Sequence, residues 1–357
     1  MIRILHCADL HLSAEEADYS LAVLDEIVAI AESNRCAWLL CAGDLFDTYP
    51  DLERLKGDFR KRLAALPPGC RALVIAGNHD RLRMGAKRLS AVDLAPAEFV
   101  ADSSFELLQG EGVELVAIPF APTHADYVEW KLPPRKAPLR IAVAHGSVAG
   151  MHYAGGDEEE EAGVMDPDLF VRHGIQLAAL GHIHAARTEV IEGVTFSYPG
   201  SARVWRRGET GPRLVNLIEA AESPRLSQVP IAAAGQYRRY DHPLNLDGSL
   251  PALGAAVEEW STADWVEIAV SGVIEDERVL AASEAELKRR HGGRVRRLEV
   301  TREGVLTLEG IATQPVAKRF LELWKAREPA GEEERRVWLK ARELALVKVK
   351  ELLEARR

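Results

Sequence analysis

Through the first two-thirds of the chain, short and nearly unbroken apolar runs alternate with longer stretches whose apolar residues recur every three or four positions. The run Ile2 to Cys7 predicts a first strand, and Leu21, Leu24, Ile27, Val28 and Ala31 share one face of a helix over about 20–33. Trp38 to Ala42 predicts a second strand. Leu52, Leu55, Phe59 and Leu63 predict a second helix, which Pro67-Pro68-Gly69 ends. A third strand is expected from Arg71 to Ala76. Buried strands alternating with helices predict a layered α/β sheet.

From Phe105 the pattern changes. Leu107-Leu108 and Val113 to Ile118 flank Gly110-Glu111-Gly112 and predict a β-hairpin, followed by a short helix near 126–130. Apolar strands then lead to His145 and to His182. Thr188 to Ile191 and Val194 to Tyr198 predict another hairpin turning at Glu192-Gly193, and Leu214 to Ile218 a further strand. Ala232-Ala233-Ala234-Gly235 reads as a linker. The expected organisation is a domain over 1–231, a small α+β domain over 236–310 and a helical tail over 313–357. Within the second domain we expect strands from Tyr237, Trp265 and Arg294, with helices near 250–260 and over about 277–291; Gly292-Gly293 stops the latter. In the tail, Val316, Phe320, Leu323 and Trp324 share one face; Trp338, Ala341, Ala345, Val349 and Leu352 share another. Glu332 to Glu334 and Arg356-Arg357 match the second helix's dipole.

The ends of the apolar runs carry the chemistry. They finish in Asp9-Leu10-His11, Gly43-Asp44, Gly77-Asn78-His79-Asp80, His145-Gly146 and Gly181-His182-Ile183-His184. In open parallel sheets, sites form beyond the carboxyl ends of the strands. One Gly-Asp after a strand is ordinary turn chemistry; five such endings in series make a site. Their carboxylates, amide oxygen and imidazoles suit Mn, Fe or Zn better than Ca or Mg.

Composition adds boundaries. The chain has 357 residues, 47% hydrophobic and 28% charged, and no apolar run approaches the length of a membrane span. The sequence enters its first strand directly from Met1, so we expect a cytoplasmic protein without a secretory signal. Cys7, Cys36, Cys41 and Cys70 show no metal-type pair spacing, and Cys7 and Cys41 read as small buried hydrophobes. The net charge of −10 opposes nonspecific nucleic-acid binding. Two features soften that objection: metal ions would add positive charge where a phosphate sits, and the acidity is unevenly distributed, with a block from Asp157 to Glu161 in an expected loop.

In order, the five strand endings resemble the five signatures of the calcineurin-like metallophosphoesterases. Gly43-Asp44-Leu45-Phe46-Asp47 and Tyr198-Pro199-Gly200-Ser201 further resemble the SbcD/Mre branch of DNA-repair nucleases. The resemblance implies an α/β fold: a two-sheet sandwich flanked by helices, with a small α+β capping domain and a helical C-terminal tail. It also implies two divalent ions, with Mn expected. Asp44 would hold both, Asp9, His11 and His184 would complete one site, and Asn78, His145 and His182 the other. His79 is the motif histidine without a ligand role and suits a general acid. Asp47 stands where some Mre-type nucleases carry a histidine; it reads equally as support for a metal-bound histidine and as a loop or helix-capping carboxylate.

Arg203, Arg206 and Arg207 around Trp205 suit a nucleic-acid backbone and an unstacked base, against a buried Trp205 with solvated arginines. Lys288-Arg289-Arg290 with Arg294, Arg296 and Arg297 forms a second basic cluster. His6 reads as core or as support for the site, and His124, His152, His173, His242 and His291 as surface groups. The implied activity is a DNA exo- and endonuclease of double-strand-break repair. Its partners would be DNA and an SMC-like ATPase of the SbcC type docked on the tail, with no membrane and with a homodimer allowed. A metallophosphoesterase acting on nucleotides, other small phosphodiesters or phosphoproteins is the second reading. A noncatalytic scaffold is the third, opposed by the unbroken ligand set.

Overall fold

In the computed structural model of the chain, residues 2–82, 89–101, 105–120, 131–151 and 163–354 are described. The expected helix at 126–130, the acidic block 157–161, His124, His152 and Arg356-Arg357 lie outside them. The chain divides into two compact units, Met1–Gln236 and Tyr237–Arg357.

Among the described residues, the first unit is a sandwich of two six-stranded sheets. One sheet contains β1 (Ile2–Cys7), β2 (Trp38–Ala42), β3 (Arg71–Ile75) and β4 (Glu98–Val100) in parallel. The other contains β5 (Glu106–Gly110), β6 (Val113–Ile118) and β7 (Leu139–His145). The short pair β8 (Ser147–Val148) and β9 (Val164–Met165) follows β7. β10 (Leu177–Gly181), β11 (Arg187–Ile191) and β12 (Val194–Tyr198) complete the second sheet in the order β11-β12-β10-β7-β6-β5. β13 (Leu214–Ala220) and β14 (Arg225–Pro230) return antiparallel to the first sheet, giving the order β14-β13-β1-β2-β3-β4.

Every residue of β2 is buried, because both of its faces are covered. Leu39 and Cys41 pack outward against helices α1 (Ala17–Ser33) and α2 (Tyr49–Leu63). Trp38, Leu40 and Ala42 pack inward against Ile141, Val143, Leu177 and Ala179 of the opposing sheet. Thr48 starts α2 by accepting a hydrogen bond from the Asp51 N–H, with Pro50 in the first turn and Arg60 to Arg62 in the last. The hairpin β11–β12 turns at Glu192 and Gly193, both at positive φ, the backbone that a tight two-residue turn requires.

The second unit has a parallel three-stranded sheet of β15 (Tyr237–Pro243), β16 (Trp265–Ile274) and β17 (Arg297–Thr307). The helix Glu277–His291 follows β16, and its N-cap Asp276 accepts from the Arg278 N–H. The helix expected near 250–260 is only a 3-10 turn, Gly254–Glu259, because Pro251 and Gly254 disfavour a longer α-helix. β17 begins three residues later than expected and runs further.

The C-terminal helices Pro315–Lys325 and Glu332–Glu354 share a core with β16 through Val273, Ala317, Leu321 and Leu346. Stacked Trp324 and Trp338, with ring centroids 4.9 Å apart, join the helices. Their buried stripe is rotated from the expected one: Ala317 and Leu321 point inward, whereas Val316, Leu323 and Leu352 are exposed. Among the described residues no helix is long and apolar enough to cross a membrane.

Candidate metal centre

The predicted donors lie at or just beyond the ends of β1, β2, β3, β7 and β10. Asp9, His11, Asp44 and His182 all have positive φ, a region that non-glycine residues rarely occupy. Such strain persists where neighbours over-determine it. The Asp9 N–H donates to Gly43 O at 3.1 Å and the His11 N–H to Asp44 O at 2.9 Å, so the loops after β1 and β2 fix each other. Glycine is required beside them. A Cβ on Gly43 would lie 2.1 Å from His145 Nδ1, and one on Gly77 2.1 Å from Asp44 Oδ1.

The side chains converge. His11 Nε2 is 3.3 Å from His184 Nε2. Asp44 Oδ2 lies 3.8 Å from His11 Nε2 and 3.6 Å from His145 Nε2, placing this carboxylate between two imidazoles from different sheets. Asn78 Oδ1 is 2.8 Å from His145 Nε2 and 3.2 Å from His182 Nδ1. Asp9 accepts the His182 N–H at 3.0 Å. Asp9, His11 and His184 form one group able to hold a cation, and Asp9, Asp44 and His145 another. His79 forms a third with His11 and Asp44, so it stands nearer to ligand distance than expected of an acid outside the set.

The donor set fits divalent metal. His145 Nδ1 donates to Ala42 O at 2.8 Å, leaving its Nε2 with a lone pair directed at the oxygens of Asn78 and Asp44. His184 Nδ1 donates to Glu209 Oε1 at 2.6 Å, leaving its Nε2 lone pair beside His11 Nε2. Where His145 Nε2 meets Asn78 Oδ1, lone pair faces lone pair, and a cation between them removes the repulsion. Charge tells the same story. Burial pushes the Asp9 carboxyl up to about 7, and burial with nearby Asp80 and Asp9 pushes Asp44 well above the usual range. Burial, followed by neighbouring imidazoles, holds His11 and His145 well below the usual histidine range. Neutral imidazoles and carboxylates short of countercharge are a metal site's two requirements.

Two supporting carboxylates, Asp80 and Glu209, have no role that the sequence predicts. Asp80 is buried, its carboxyl pushed by burial to about 6, and it accepts N–H bonds from Leu45, Phe46 and Gly77, tying the Asp44 loop to the Asn78 loop. Glu209 bonds His184 and also the Trp205 N–H at 2.8 Å. Trp205, expected either to meet an unstacked base or to be buried, is half-buried; it stacks flat on His11, with centroids 3.9 Å apart and planes 6° apart, and meets His79 edge-on. Asp80 lies in a visible motif but carried no distinguishing spacing, and no local pattern marks Glu209.

The predicted arginines separate. Arg203 is 2% exposed and its guanidinium is taken up by Leu10 O, His11 O and Glu16. This corrects the substrate-binding expectation: Arg203 clamps the loop that carries His11, because a buried guanidinium must find acceptors. Arg206 and Arg207 are exposed, and Arg206 lies over the Trp205 ring at 4.7 Å. Asp47 is not the cap of α2, a role Thr48 fills. Its Oδ1 is 3.8 Å from His11 Nδ1 and 3.9 Å from His79 Nδ1. His6 is core, buried beside Asn216 and pushed by burial down to about 3.

Two sheets whose strand ends gather histidine, aspartate and asparagine define a metal-dependent phosphoesterase. The family model of the calcineurin-like phosphoesterases matches residues 2–186, more than half of the chain, and the protein belongs to that family. Similar solved structures include a novel archaeal phosphodiesterase, with 11% identity over 64% of this chain and 99% of its own and a TM-score of 0.37. TT1561 of Thermus thermophilus has 11% identity over the same shares and a TM-score of 0.40. GAP50, the anchor in the inner membrane complex of Plasmodium, has 10% identity over 65% of this chain and 85% of its own, with a TM-score of 0.45. No curated protein matches the chain.

Proposed function

We propose that the protein is a two-metal phosphodiesterase that cuts DNA, as an exo- and endonuclease of double-strand-break repair working with an SMC-like ATPase of the SbcC type. The observation that carries the metal reading is the position of Asp44 Oδ2 between His11 Nε2 and His145 Nε2. In this reading Asp44 serves both ions, Asp9, His11 and His184 complete one site, and Asn78, His145 and His182 the other, with Mn the expected metal. A metal pair supplies a nucleophile at neutral pH and charge for the phosphoryl oxygens.

The chain's own groups supply the rest. His79, partly exposed and set against His11 and Trp205, delivers a proton to the departing sugar oxygen. Its backbone N–H donates to Asp44 Oδ1 at 2.8 Å, which ties the turn carrying His79 to that carboxylate. Exposed Arg206 and Arg207 meet the phosphate backbone beside Trp205. The ATPase docks on the C-terminal helices, whose Val316, Leu323, Val337 and Leu344 are at least half exposed. The net charge of −10 favours the second reading, hydrolysis of nucleotides or other small phosphodiesters.

Parallel Mn-dependent digestion of end-labelled duplex and single-stranded DNA and of bis-p-nitrophenyl phosphate separates the two, with Asp44→Ala as control. DNA cleavage lost in the variant supports the nuclease. Turnover of the small ester alone supports the second reading and ends the first.

A further inference from the structure

Glu209 lies on the loop between β12 and β13, outside the five strand-end motifs, yet its buried carboxylate makes contacts on both sides. One oxygen accepts His184 Nδ1–H at 2.6 Å. The other accepts the Trp205 N–H at 2.8 Å and the Arg206 N–H at 3.3 Å, and Arg213 approaches it at 3.9 Å. The side chain is 7% exposed, so these bonds are made out of water, where a carboxylate constrains its partners strongly.

We propose that Glu209 is a positioning residue that fixes the ring of His184 for metal binding and ties that ring to the turn carrying Trp205 and Arg206. The bond to Nδ1 selects the tautomer whose Nε2 is a bare donor, and it stops the ring from rotating that nitrogen away from His11. A carboxylate behind a ligating imidazole also makes it more basic, and loss of such a partner typically weakens metal binding about 10- to 100-fold. Because the same carboxylate holds the backbone of Trp205, whose ring stacks on His11, one residue sets both the metal side and the exposed wall of the site. The inference rests on the metal-centre reading above.

The test is titration calorimetry of the full-length, metal-stripped protein with Mn(II) alone, on wild type, Glu209→Ala, His184→Ala and the double variant. Melting in EDTA verifies that each folds. Glu209→Ala should bind Mn about 10- to 100-fold more weakly at one site, and adding it to His184→Ala should change nothing further. Wild-type affinity in Glu209→Ala overturns the inference alone. So does an equal loss in the His184→Ala background, which would mean that Glu209 acts on the fold and not through the ring. A wild-type protein that takes up no Mn in this titration defeats the metal centre itself, and the inference with it.

Discussion

The strand-end loops of the first unit and the basic surface of the second spend charge in opposite ways. Around Asp44, ionisable groups are buried, strained and crowded; Asp9 and His145 have no exposed side-chain surface at all. On the basic surface of the second unit, Arg289, Arg290, Arg297 and Arg302 are open to solvent and neutralised locally. Arg289 and Arg290 share Glu286, Arg297 meets Glu299, and Arg302 meets Glu284. Exposed pairs of that kind contribute about 0–1 kcal/mol each and are screened by salt. Buried unpaired donors cost far more unless something completes them. The difference teaches where to look for chemistry: at the charges whose placement the fold alone cannot justify.

Removing a group from the first set should therefore be drastic. Asp44→Ala takes away the carboxylate that lies between His11 and His145, and we expect phosphodiester turnover to fall on the order of 10³-fold, as when transition-state charge loses its stabilising partner. Elemental analysis should show metal lost as well. His79→Ala comes next. Turnover should drop ~10²–10⁴-fold, the range for a proton-transferring side chain, while metal content stays at the wild-type level. Equal metal loss in the two variants would move His79 into the ligand set, where its proximity to His11 and Asp44 already makes it a contender.

Protonation offers a milder perturbation of the same loops. Metal binding needs ionised carboxylates, and Asp9 in the metal-free fold holds its proton up to about pH 7, against an ordinary value of 3.8. Below pH 7 Mn must displace that proton, so affinity should fall about tenfold per pH unit for each proton displaced. Above pH 7 the dependence on Asp9 should flatten. His11 and His145 stay neutral through this range because burial lowers them, so they add no competition. Mn titrations at pH 6 and pH 8 check the sign, and equal affinities would contradict it.

Much of this site was legible in the amino-acid sequence, because five apolar runs in series end in Asp, Asn or His, more than turn chemistry alone requires. Asp9, His11, Asp44, Asn78, His145, His182 and His184 announced themselves through strand endings, and the fold brings them together. Glu209 and Asp80 did not, since a supporting carboxylate needs only to arrive in space, and no spacing along the chain encodes that arrival. Arg203 misled for a related reason: flanking an aromatic looks the same in sequence whether the guanidinium faces water or the carbonyls of Leu10 and His11. The C-terminal stripe was read from helical period alone, which gives which residues share a face but not which face a sheet will cover. Ala317, small enough to be overlooked, is fully buried in the core that the helices share with β16.

The smallest effect we predict belongs to the second unit and bears hardest on the contrast. If Arg294, Arg296 and Arg297 contact phosphate, replacing all three with alanine should weaken duplex binding a few-fold. It should also flatten the salt dependence by about one unit of slope for each phosphate no longer neutralised. Arg297 already faces Glu299 and lies over Trp265 at 4.2 Å, so its share should be the least. Fluorescence anisotropy from about 50 to 200 mM salt reads both quantities. An unchanged slope would mean that these cations are spent on their own surface, leaving phosphate recognition to Arg206 and Arg207 beside the buried centre.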